Sequence, residues 1–142
     1  MTWNWHEEEV SMRDLDSFGH VNNAVYLTYI EDARVAYFLD VIGIRDIAEI
    51  NNVIASVGIE FKSQLDFPGR VRTGASIERV GNKSFEFRYR IEDGEGTLVA
   101  EASSVQVMFD VEAGETIPVP HSWRRRIEEF EGRDTSGQEE PR

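Results

Sequence analysis

The segment SFEFRYRI, Ser84 to Ile91, constrains the fold more than any other stretch. Phe85, Phe87, Tyr89 and Ile91 occupy one side of a strict alternation, and Glu86, Arg88 and Arg90 the other. Successive side chains of a strand point to opposite faces, so the pattern predicts a strand with one buried and one wet face, as antiparallel sheets have. The flanking breaks, VGNK (Val80 to Lys83) and DGEG (Asp93 to Gly96), carry the Gly and Asn that hairpin turns favour. Together with RVRTGASIERV before and TLVAEASSVQVMFDV after, they predict a three-strand antiparallel meander. VIASVGIEFKSQL supplies another strand upstream. Residues 3 to 12 supply the first, with Trp3, Trp5, Val10 and Met12 as its apolar positions and the acidic run Glu7 to Glu9 as its solvated part.

Between the first two strands the period changes. Val25, Tyr26, Tyr29, Ile30, Ala33, Tyr37 and Phe38 recur at three- and four-residue spacings, which is the helical repeat. They predict a helix of about five turns at ~3.6 residues per turn, with Asn22 or Asn23 as N-cap and Gly43 as its stop. Glu31 and Arg34, three apart, are expected to pair on its surface. PHSWRRRIEEFEG predicts a short second helix, so residues 1 to 131 form a single domain. RDTSGQEEPR has too few apolar residues to pack, and residues 132 to 142 are expected to be a disordered tail. One long helix cannot cover both faces of such a sheet, which makes a homodimer the minimum expectation.

Composition narrows the function. The chain has 142 residues and no cysteine, which excludes disulfides, thiolate zinc sites and cysteine nucleophiles. The net charge is -12, and Lys62 and Lys83 are the only lysines. Phosphate neutralisation needs a basic face, so nucleic acid is not an expected partner. An acidic, lysine-poor surface fits a protein working in concentrated salt, where screening removes its self-repulsion. MTWNWHEEEV lacks the basic and apolar regions of a signal peptide, and no run approaches membrane-spanning length; the expectation is a cytoplasmic protein without membrane contact.

Arg13-Asp14-Leu15-Asp16, Gly19-His20-Val21-Asn22-Asn23, Tyr26, Tyr29, Glu31 and Arg34 together resemble the signature of hotdog-fold acyl-CoA thioesterases of the 4-hydroxybenzoyl-CoA thioesterase-like group. The likeness extends over roughly residues 5 to 112. It implies an α+β hotdog fold, a five- to six-stranded antiparallel sheet wrapped around one long central helix. It implies homodimers with active sites between protomers, often paired into homotetramers, and hydrolysis of an acyl-CoA with no metal or other cofactor. By position, the family's catalytic carboxylate falls on Asp16, and its carbonyl-polarising backbone N–H on or near Asn23.

The chemistry accounts for such residues. Thioester hydrolysis needs an activated oxygen and a place for the charge that develops on the carbonyl oxygen. Unpaired N–H groups at a helix start, such as Val21 to Ala24, supply the second. Gly19 permits the sharp return that brings Asp16 towards them. Asp16 then serves as general base or as nucleophile, a choice the sequence leaves open; taken alone, Asp14 and Asp16 also suit plain turn positions. His20 joins Asp16 and Asn23 as a catalytic candidate, able to orient Asp16, bond the substrate or hold the loop, with loop-holding the expected role. Asn22 and Asn23 are expected to cap the helix, with Asn23 also at the site mouth, and Tyr26 and Tyr29 to line the acyl pocket or the dimer contact. Phe61, Leu65 and Phe67 are the apolar candidates for that pocket. For the CoA phosphates the candidates are Arg70, Arg72, Lys83 with Ser84, and Arg124 to Arg126. His6 and His121 give no metal-ligand spacing with His20. A hotdog acyl-thioester hydratase or dehydratase and a non-catalytic acyl-CoA binding module are the alternatives, since fold alone does not fix chemistry.

Overall fold

A computed structural model describes residues 1–137. In chain order the elements are β1 (Asn4–Glu9), α1 (Val25–Tyr37), β2 (Asn52–Phe61), β3 (Arg70–Val80), β4 (Ser84–Asp93), β5 (Leu98–Asp110), the two-residue β6 (Glu115–Thr116) and α2 (His121–Glu131). The antiparallel sheet runs β1-β3-β4-β5-β2, with β6 added to β5. β3, β4 and β5 form the expected meander, and the strand at residues 52–61 crosses over to pair with β5.

The alternation in β4 sets the core. Phe85, Phe87, Tyr89 and Ile91 are all buried, as are Val71, Thr73, Ala75 and Ile77 of β3. α1 lays Tyr29, Ile30, Ala33 and Tyr37 on this surface, followed by Phe38. Tyr37 and Phe38 meet Phe87 edge-on at 5.2 and 5.9 Å, geometries worth about 0.5–1.5 kcal/mol each beyond the area they bury. Past Tyr37 the helix widens into one π-helical turn, Phe38–Ile42, and stops at Gly43, whose φ of +84° suits glycine. The five turns read from the sequence are thus present in two pieces. Asn22 does the capping at the start: its Oδ1 accepts the Ala24 N–H at 2.9 Å and its carbonyl the Val25 N–H at 2.9 Å.

Three sequence readings are corrected. Arg34 does not pair with Glu31; it lies on the buried side of α1 and donates to the Tyr89 hydroxyl at 3.3 Å, which in turn meets Ser104 at 2.7 Å. Glu8 is not solvated with its neighbours, because β1 turns Asn4, His6 and Glu8 towards α1, and Met12 lies exposed in a 3-10 turn beyond the strand. The disordered tail does not begin at residue 132: Val80 N–H donates to the Thr135 carbonyl at 2.8 Å, and Arg133 to that of Ile77 at 3.1 Å. The rest of that expectation, residues 138 to 142, lies outside the described residues.

α2 is fastened by a buried carboxylate. Glu131 accepts from the Tyr37 hydroxyl at 2.8 Å, the Ser76 hydroxyl at 2.6 Å and the Ile77 N–H at 2.8 Å. At the far edge of the sheet β2 pairs, among the described residues, only with β5, and Val53, Ile54, Val57 and Phe61 are exposed along it. An open edge carrying that much apolar surface is an invitation to further pairing.

Candidate active site

The loop before α1 is built like a small hairpin. An antiparallel bridge joins Leu15 to Val21, Asp16 N–H donates to the His20 carbonyl at 2.7 Å, and Gly19 N–H returns to the Asp16 carbonyl at 3.1 Å. Gly19 makes the turn with φ +81°, a backbone state that disfavours other residues. Asp16 Oδ1 accepts the Phe18 N–H at 2.9 Å and the His20 N–H at 3.1 Å. Asp16 is therefore a turn residue through one oxygen. Among the described residues Oδ2 has no hydrogen-bond partner, and the side chain is exposed, so the second oxygen is free for chemistry.

The start of α1 offers a complementary group. Asn22 N–H donates to the Asp14 carbonyl, Ala24 N–H to the Asn22 side chain, Val25 N–H to the Asn22 carbonyl and Tyr26 N–H to the Asn23 carbonyl. Among the described residues no acceptor meets the Asn23 N–H. This leaves one donor unpaired where the helix dipole favours negative charge.

Asp16, His20, Val21, Asn22, Asn23 and Tyr26 line one open cavity of about 470 Å³, closed on the other side by Phe61, Ser63 and Gln64 from the end of β2 and beyond. Tyr26 is nearly enclosed, its ring edge-on to Phe61 at 5.1 Å and to Tyr29 at 5.8 Å. Burial pushes its phenol up, an effect partly offset by the Leu65 N–H beside the hydroxyl. The loop-holding expected of His20 is performed by its backbone, and the residue lines the cavity. Asp14 is used structurally, its carboxylate accepting Ser11 N–H at 2.9 Å and the Tyr29 hydroxyl at 3.1 Å.

Other sequence candidates lie outside this cavity in the protomer. Arg70 faces Glu9 at 3.9 Å, an exposed pair of small energetic weight. Lys83 and Ser84 sit at the β3–β4 turn, where the Lys83 carbonyl accepts the Met108 N–H. Arg72 lies over the Trp5 ring at 3.8 Å, and Arg124 is bonded to the Gly81 and Asn82 carbonyls. Leu65 is core, and Phe67 lies against Val10 and Pro68 away from the cavity. Ser63 and Gln64 were missed by sequence reading, because nothing in their spacing shows that the end of β2 returns to the loop before α1.

Comparison with known proteins bears on this geometry. Residues 10–127 match the family model of the thioesterase-like superfamily. A thioesterase from Thermus thermophilus, solved in complex with coenzyme A and Zn, is 31% identical; the match covers 91% of this chain and 94% of that one, with a TM-score of 0.82. The DHNA-CoA thioesterase of Staphylococcus aureus shares the fold at 17% identity, over 93% of each chain and with a TM-score of 0.83. The Bacillus subtilis protein YsmA is 27% identical over 111 residues, 77% of this chain and 76% of that protein. The chain thus belongs to the thioesterase-like superfamily, as a thioester hydrolase of the hotdog fold.

Proposed function

We propose that the protein hydrolyses an acyl-CoA to the free acid and CoA, with Asp16 as general base and the Asn23 N–H as oxyanion donor. The observation that carries this reading is the pairing of a half-committed carboxylate with an unpaired helix-start N–H on one cavity wall. Water beside Oδ2 attacks the carbonyl carbon as its proton passes to Asp16. Charge on the carbonyl oxygen meets the Asn23 N–H and the helix dipole. The tetrahedral adduct then collapses, the C–S bond breaks, and the departing CoA sulfur takes the proton from Asp16. Nucleophilic attack by the same Oδ2 is the alternative role.

The thioesterase of Thermus thermophilus with bound coenzyme A supports CoA as carrier. CoA brings phosphate charge, yet the cavity wall holds neither Lys nor Arg. We assign the cations to a second copy, with Lys83 and Ser84, or Arg70, as the groups to supply them. A homodimer docked along the open edge of β2 would also cover Val53, Ile54 and Val57 and narrow the cavity at Phe61; two such dimers make the tetramer.

Thiol release from a panel of acyl-CoAs, short, long and aromatic, tests the proposal at low and at molar salt. Turnover on at least one of them is expected. Absence of turnover under both conditions, or hydration of an enoyl-CoA in its place, refutes it.

A further inference from the structure

β1 presents Asn4, His6 and Glu8 to α1, and the last two converge on Asp32 of that helix. One donor atom from each of His6, Glu8 and Asp32 lies within 4.8 Å of the others. His6 Nε2 is 3.6 Å from Glu8 Oε2. Among the described residues no N–H or hydroxyl donor meets the buried Glu8 Oε2, whose neighbour is the Asp32 carboxyl. Thr73, directly across from His6 on β3 and 1% exposed, likewise has a hydroxyl without a partner among the described residues. None of these residues lines the cavity that holds Asp16.

We propose that His6, Glu8 and Asp32 form a binding site for a first-row divalent cation of the Zn²⁺ class, joining β1 to α1. One imidazole nitrogen with two carboxylates is a mixed donor set that suits Zn²⁺ and its neighbours, whereas Mg²⁺ and Ca²⁺ favour oxygen alone. Two carboxylates also match the charge of the ion. Around a tetrahedral ion with bonds of about 2.1 Å, ligand atoms lie about 3.4 Å apart. The His6–Glu8 spacing is close to that, and a side-chain rotation of half-buried Asp32 closes the remainder. A water in the fourth position completes the set and gives the unpartnered oxygens of this face a bonding partner.

The electrostatics agree. The Glu8 and Asp32 carboxylates, with oxygens within 4.8 Å of each other, carry like charge. A cation there relieves the repulsion among these groups. It also bears on the active-site loop, because Asp14 holds both the Tyr29 hydroxyl and the Asn22 N–H. The set escaped sequence reading because Asp32 lies on the helix, far along the chain from His6 and Glu8.

Calorimetric titration of Zn²⁺ into the chelator-stripped full-length protein tests the site, with thermal denaturation alongside. One Zn²⁺ per chain and a raised Tm are expected. His6→Ala and Asp32→Asn should each weaken binding at least about tenfold and abolish the Tm rise. Asp32→Asn removes a like charge from the cluster and so retains the fold, which circular dichroism verifies. Zn²⁺ that binds both variants as tightly as the wild type overturns the proposal. So does the absence of both heat and thermal shift at millimolar Zn²⁺. Neither readout depends on thioesterase activity.

Discussion

Replacing Glu8 with Gln should stabilise the metal-free protein at pH 8 and leave it unchanged near pH 4.5. The folded-state carboxyl sits at about 7 against an ordinary 4.5, chiefly through burial and then through Asp32. The neutral form is favoured by the fold, so between those values the folded protein holds a proton that the unfolded chain has released. Stability therefore falls as pH rises through this window, and the whole loss is present above 7. A fully enclosed group with that shift would lose about 3 kcal/mol at ~1.4 kcal/mol per pH unit. Glu8 keeps 27% of its side chain exposed, and solvent screening reduces the expected loss to about 1–2 kcal/mol. Urea unfolding from pH 4.5 to 8 in the presence of a chelator measures it. His6, Asp14, Asp32 and Tyr29 face Glu8 and are common to both proteins, so the difference between their profiles reports Glu8 together with its interaction with Asp32. Parallel profiles across the window, or a Glu8→Gln protein no more stable at pH 8, would refute the reasoning.

Further outcomes follow from the same structure. Asn22→Ala removes the side chain that holds the Ala24 N–H and should cost about 0.5–2 kcal/mol, read as a lowered Tm. Glu131→Ala strips the acceptor from three donors, those of Tyr37, Ser76 and Ile77, and should cost at least about 3 kcal/mol in urea unfolding. By light scattering the wild type should be a dimer and Ile54→Glu with Val57→Glu, both on the exposed edge strand, a monomer, with protomer stability changed by only ~0.5 kcal/mol.

Much of the fold was legible in the residues, and the exceptions share a cause. The quoted segment for β3 coincides with the strand, and that for β4 starts with it and stops two residues short, because turn residues bound them and apolar residues alternate within them. In β1 the same period was present but the apolar cue misled: Trp3 and Trp5 share the outer face, and the polar Asn4, His6 and Glu8 face the helix. Arg34 was read as a surface charge, although its spacing from Ile30 and Tyr37 places it on the buried side. The inward turn of a charged residue depends on a distant partner, here Tyr89, and distant partners leave no local signature. The same holds for the site: the loop from Asp16 to Asn23 is contiguous and was readable, whereas Ser63 and Gln64 reach it only through the crossover of β2.

Thiol release by Asp16→Asn on the best acyl-CoA substrate tests the central claim most directly. Asparagine keeps an oxygen to accept the Phe18 and His20 N–H groups, so the loop is retained while the base is lost. With fold and oligomeric state unchanged, kcat should fall at least ~100-fold. Turnover equal to that of the wild type would contradict the account and remove Asp16 from the chemistry.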